Sequence, residues 1–142
     1  MSKKIFLIED NGFLKDRLTE RLEERYGCEV LDAYSVASAK DVWDSERGNF
    51  DCIILDLHIN PSGLSPEEIA NTTPLFGMKA LEHFYQTKRI SNESINKKTV
   101  LFSKYITAFR ESVYRDISFA DTISKEGDSI ESVMKAVNKL LN

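Results

Sequence analysis

The sequence predicts an α/β fold: a doubly wound parallel sheet of five strands in the order 2-1-3-4-5, with helices on both faces. Three observations carry this. Four short apolar runs rich in Ile, Val, Leu and Phe end in polar residues: KIFLIED at Glu9 and Asp10, CIILD at Asp56, TVLFS at Ser103 and TISK at Lys125. Continuous apolar runs of this length are what strands buried on both faces look like. Amphipathic helical patterns separate them, and repeated βα units specify a parallel sheet covered on both sides. At 142 residues the chain is one domain, residues 1–142, long enough to bury roughly two-thirds of its unfolded surface.

Taken in order, the first strand is Lys4 to Ile8. The helix after it spaces Phe13, Leu14, Leu18, Leu22 and Tyr26 by three and four residues, and Gly27 stops it. A short strand from Glu29 to Ala33 leads to Ser35 and the amphipathic stretch VASAKDVWDSE, which Gly48 ends. The third strand is Asp51 to Leu55. Residues 60–76 then form an unusually long connection, an insertion whose Ser65-Pro66-Glu67-Glu68 reads as a capping box with proline at the first helical position, so a short extra helix is expected there. Met78 to Lys88 is helical, with Leu81, Phe84 and Tyr85 on its apolar side. The fourth strand is Thr99 to Phe102, followed by a helix from about Thr107 to Asp116. The fifth is Asp121 to Ser124, and Ile130 to Leu141 closes the chain as an amphipathic helix. Trp43, Phe50, Phe84 and Phe102 read as core, and His83 as surface.

Composition narrows the function. Lysine and arginine number 19 against 23 acids, a net charge of −4, which argues against a surface built for nucleic-acid phosphates. Cys28 and Cys52 belong to no CxxC pair and have no histidine at metal-ligand spacing, so they read as reduced, buried thiols. The N-terminal apolar stretch is four residues long before it meets two acids, which is no signal peptide, and no run approaches membrane-spanning length. A cytoplasmic protein with no membrane partner is expected.

The strand ends carry the chemistry. In a sheet of this order the first and third strands are neighbours at the switch point, and ligands bind at the carboxyl ends of the strands. Glu9, Asp10 and Asp56 would then share one pocket, where their mutual repulsion calls for a cation; an all-oxygen donor set with room for water suits Mg²⁺. With Lys125 the group carries a net charge of −2, which one Mg²⁺ neutralises before a phosphoryl group arrives. An ammonium, a metal and the Ser103 hydroxyl are what a transferring phosphoryl group needs around it. The plain alternative is a set of solvated strand ends.

In these segments, IFLIEDN, IILDLHI, VLFSK and TISKE, the chain resembles the receiver domains of response regulators in two-component signalling, along essentially its whole length. The resemblance implies a flavodoxin-like fold in which Asp56 is the phosphoacceptor and Glu9, Asp10, Asp56 and the His58 main-chain carbonyl hold Mg²⁺. It also implies that Ser103 hydrogen-bonds the phosphoryl group and that Lys125 pairs with it. The partners so implied are a histidine kinase or phosphotransfer protein upstream and a protein that reads the phosphorylated state downstream, with no effector domain in the chain itself. Three departures stand out: Glu126 where the family carries proline, Thr122 where it carries an aromatic, and Lys104-Tyr105 after Ser103 where it prefers a small residue. They support a rival reading, a pseudo-receiver that binds a partner without phosphorylation. An aspartate-nucleophile phosphatase is a weaker third, because His58 stands where its second acid would be. His58 is placed at the pocket rim, to order or exclude water or to do neither. The insertion is expected to pack over that rim and to present Leu64, Ile69 and Leu75 to the body of the domain or to a partner.

Overall fold

The computed structural model describes residues 2–127 and 129–142. Five parallel strands, β1 (Lys4–Ile8), β2 (Glu29–Ala33), β3 (Cys52–Leu55), β4 (Thr99–Ser103) and β5 (Asp121–Ser124), pair in the order β2-β1-β3-β4-β5. Among the described residues seven helices accompany them: α1 (Gly12–Tyr26), α2 (Val36–Ser45), α3 (Pro66–Thr72), α4 (Gly77–Gln86), α5 (Asn92–Lys97), α6 (Ile106–Arg110) and α7 (Ser129–Leu141).

Strand side chains alternate between faces, so each central strand feeds two cores. Phe6, Ile8, Ile53, Leu55 and Leu101 pack with Trp43 of α2, Leu81 and Phe84 of α4, Ile95 of α5, and Ile106 and Phe109 of α6. Ile5, Leu7, Ile54, Val100, Phe102 and Ile123 pack with Leu18 and Leu22 of α1 and with Val133, Met134 and Val137 of α7. Trp43, Phe50, Phe84 and Phe102 are core, as the apolar pattern predicts. Cys28 and Cys52 are free and buried, and burial pushes the Cys52 thiol up to about 12. No helix among the described residues is long and apolar enough to cross a membrane.

Several expectations need correction. The helix after β4 is only Ile106–Arg110 rather than extending to Asp116. There the Ser112 hydroxyl donates to the Phe109 carbonyl (2.7 Å) and accepts from Tyr114 N–H (3.1 Å), the side-chain competition that ends helices. Helix α5 is an addition to the predicted elements; at six residues it is too short for a periodic signal and rests on a Ser91 cap that accepts from Ser94 N–H. His83 is half-buried rather than surface, its Nε2 lying 2.9 Å from Asp44 Oδ1 across the α2–α4 contact. Phe13 sits in the first turn of α1 and is 74% exposed instead of joining the helix's apolar stripe. Phe13→Ser should therefore shift stability by no more than about 0.5 kcal/mol, whereas Leu18→Ala should cost about 2–5 kcal/mol; urea midpoints of the two variants check this.

The connection between β3 and α4 does contain the extra helix. Both halves of its capping box form: Glu68 N–H donates to Ser65 Oγ (3.1 Å) and Ser65 N–H to Glu68 Oε1 (3.0 Å). Its near end is stitched to the start of α2, where Val36 N–H donates to Asn60 O (3.0 Å) and Ala37 N–H to Ser62 O (2.8 Å).

Candidate functional site

Hydrogen bonds at and just past the strand ends place the polar residues. Glu9 N–H donates to Ala33 O (2.9 Å), Asp56 N–H to Ile8 O (3.0 Å) and Lys125 N–H to Ser103 O (3.1 Å). The three side chains are thereby delivered to one end of the sheet. They line a cavity of about 120 Å³ together with Asp10, Asn11, His58, Lys104 and Tyr105.

Glu9 and Asp56 are buried, at 1% and 4% exposure, while Asp10 is exposed. Lys125 Nζ bridges the buried pair, 2.6 Å from Glu9 Oε1 and 2.8 Å from Asp56 Oδ2. Burial disfavours the ammonium, but the charges of Asp56 and Glu9 outweigh that and raise the Lys125 pKa. For Glu9, burial and then the neighbouring Asp56 carboxylate push the carboxyl up to about 7, against the pull of Lys125 and of Asn11 N–H, which donates to Glu9 Oε2 (3.1 Å). Burial and Asp56 also raise Asp10.

The site is therefore short of positive charge even with its lysine in place. One oxygen from each of Glu9, Asp10 and Asp56 lies within 4.8 Å of the others. Oxygens sharing one octahedral Mg²⁺ lie at most about 4.2 Å apart, so small side-chain rotations close the set around an ion. The donors are hard, one is solvent-facing, and the surplus is negative, all of which fits Mg²⁺ rather than a thiolate- or imidazole-seeking metal.

The sign of the pH dependence follows from Glu9. Its pKa is raised above the unfolded value near 4.5, so the folded chain holds the proton more tightly. That contribution to stability is complete below about pH 4.5 and is lost as pH rises through about 7. Urea midpoints of metal-free protein should fall between pH 5 and pH 7.5, and fall less in Glu9→Gln. A Mg²⁺ ion held by these carboxylates would compete with the same proton, so its affinity should weaken as pH drops below about 7.

Ser103 is placed differently from the other candidates. It is fully buried and does not line the cavity; its Oγ accepts from Tyr105 N–H (3.1 Å). Residues 60–76 do not line the cavity either, contrary to expectation. Leu75 is buried, and Leu64 and Ile69 pack on the core, so these three side chains face the body of the domain. Only Phe76 approaches the site, its ring 5.6 Å from that of His58. The His58 ring in turn lies 5.3 Å from that of Tyr105, and His58 N–H points to Asp56 Oδ1 at 3.4 Å, a long contact.

Two contributors escaped the sequence reading. Asn11 lines the cavity while its side chain caps α1 by accepting from Leu14 N–H (3.1 Å), and its place directly after the acid pair was the available signal. Gly77 opens α4 against the Asp56 backbone: a Cβ there would lie 2.2 Å from the Asp56 carbonyl oxygen. A glycine at a helix start is a weak signal on its own.

The structure is similar to solved receiver domains. The non-phosphorylated receiver domain of HemR from Leptospira biflexa matches with a TM-score of 0.71 at 18% identity, covering 99% of this chain and 95% of that one. The response regulator TrrA from Thermotoga maritima, in complex with Mg²⁺ and BeF, matches with 0.66 at 21% identity, covering 97% and 98%. The receiver domain of a sensor histidine kinase from Pseudomonas aeruginosa, with a magnesium ion coordinated in its active-site cleft, matches with 0.64 at 15% identity over 100% of both chains. No family model matches the sequence. No curated protein matches it either.

Proposed function

The chain has the fold of response-regulator receiver domains, and from that premise we propose that it is a cytoplasmic phosphoacceptor. A histidine kinase or phosphotransfer protein delivers a phosphoryl group to Asp56, and a protein partner reads the result. The observation that carries the reading is a buried Asp56 carboxylate held 2.8 Å from Lys125 beside Glu9 and Asp10, at the carboxyl ends of the central strands.

In this reading an Asp56 carboxylate oxygen attacks phosphorus, the donor's N–P bond breaks and an O–P bond forms; water later returns the carboxylate. Glu9, Asp10, Asp56 and the His58 main-chain carbonyl would hold Mg²⁺, which when bound supplies positive charge beside the incoming phosphoryl oxygens. Lys125 has two anionic partners, so it can follow the phosphoryl group without leaving Glu9. Ser103 reaches the group only if the loop after β4 turns, because its hydroxyl now faces the Tyr105 amide.

One observation favours the constitutive pseudo-receiver. Lys125 already engages both buried carboxylates in the resting chain, although the cluster as a whole stays negative, and Thr122 and Glu126 depart from the family pattern. Incubation with Mg²⁺ and a small phosphodonor, followed by intact mass, separates the two: one added phosphoryl group supports the phosphoacceptor, and an unmodified chain the constitutive binder.

A further inference from the structure

Three aromatic rings form a tilted row that runs from the acid cavity into the core. Tyr105, 36% exposed, follows β4; His58 follows β3; Phe76, buried, precedes α4. Their centroids are 5.3 and 5.6 Å apart in the tilted arrangement that rings prefer. Two of the three line the cavity, and the third does not.

We propose that this stack relays occupancy of the acid cavity to residues 60–76, which present the response on the surface beside α2. The inference deepens the phosphoacceptor reading and rests on it. A ligand shifts an equilibrium only through contacts that differ between its states, and the cavity end of the stack offers one. Tyr105 is tethered to Ser103 by its amide (3.1 Å), so a phosphoryl group that draws the Ser103 hydroxyl towards Asp56 changes the footing of the Tyr105 ring. His58 takes up that change, being held between Tyr105 and Phe76 while its own amide faces Asp56.

At the far end Phe76 is the last residue of the β3–α4 connection. Behind it the chain is fixed, because Gly77 N–H donates to Leu57 O at 2.7 Å. Ahead of it lie α3 and its flanks, whose other anchor is the stitching of Asn60 and Ser62 to α2. Most of α3 faces solvent, including Glu67 and Glu68, so a small displacement there changes what a partner meets. Position 122 on β5, the usual place for a moving aromatic in the resemblance above, is a threonine whose amide is occupied by Asp121 Oδ1 (2.8 Å).

The test is hydrogen exchange at the amides of residues 60–72, with and without Mg²⁺ and beryllofluoride, in the parent, in Phe76→Leu and in Tyr105→Leu. Phe76 lies outside the cavity, so its variant should still accept a phosphoryl group from a small donor by intact mass; Tyr105→Leu, at a partly exposed position, guards against a variant that misfolds. In the parent, beryllofluoride should change exchange in this segment by roughly 2- to 10-fold, the worth of one or two ring contacts, and the change should vanish in both variants. A labelled parent whose segment does not respond, or variants that respond as the parent does, overturn the relay and leave the phosphoacceptor standing. A parent that takes neither phosphoryl group nor beryllofluoride overturns both.

Discussion

Asp56→Asn should take up no phosphoryl group under conditions where the parent gains one. The amide has no anionic oxygen to attack phosphorus, and its NH₂ cannot stand in for the oxygen that Lys125 holds at 2.8 Å. The same substitution carries a second, independent signature. Asp56 is the second cause, after burial, of the raised Glu9 carboxyl, so removing its charge should bring the Glu9 titration down from about 7. The loss of stability between pH 5 and pH 7.5 in metal-free protein should then be smaller than in the parent. Asp10→Asn is the control: Asp10 is solvent-facing and makes no ion pair among the described residues, so it should weaken Mg²⁺ binding yet retain labelling at high Mg²⁺. Labelling of Asp56→Asn at the parental level would show that another residue accepts the group.

Gly77→Ala should be the most damaging single-methyl change in the chain. The added Cβ would sit 2.2 Å from the Asp56 carbonyl oxygen and 3.1 Å from Leu57 Cα. Both obstacles are backbone, so no rotamer change relieves them; either α4 moves off the sheet or the loop after β3 moves. We expect a loss of about 3 kcal/mol, the upper range for overpacking, together with weaker Mg²⁺ binding because the loop that moves carries Asp56 and His58. Gly12→Ala provides the contrast, since nothing lies within 4 Å of its added Cβ, and it should be neutral or stabilising by up to about 1 kcal/mol. Equal urea midpoints for the two variants would refute the steric account.

The two residues differ in how they could be found from the amino-acid sequence. Asp56 is polar at the end of the run CIIL, and polarity at the end of an apolar run is visible locally. Gly77 matters because two segments twenty residues apart meet there, and glycine carries no mark of what it touches. The same division runs through the site. Glu9, Asp10 and Lys125 were legible as strand-terminal polar residues. Asn11 and the engaged hydroxyl of Ser103 were not, because the first depends on where α1 begins and the second on a turn made by Tyr105.

What the sequence determined by itself is the layered sheet, its strands and the set of acids and lysine at their ends. These follow from short-range regularities: four- and five-residue apolar runs, helical spacing between them, and the rule that parallel βα units place strand ends together. Tertiary structure alone decided the rest. It decided that Phe13 points to water, that His83 reaches Asp44, that residues 60–76 lie against the core and α2 rather than over the cavity, and that Phe76, His58 and Tyr105 stack. Each of these depends on contacts between segments far apart in the chain or on the exact start of a helix. The periodicity of a segment specifies which face is buried, not which distant residue will meet it.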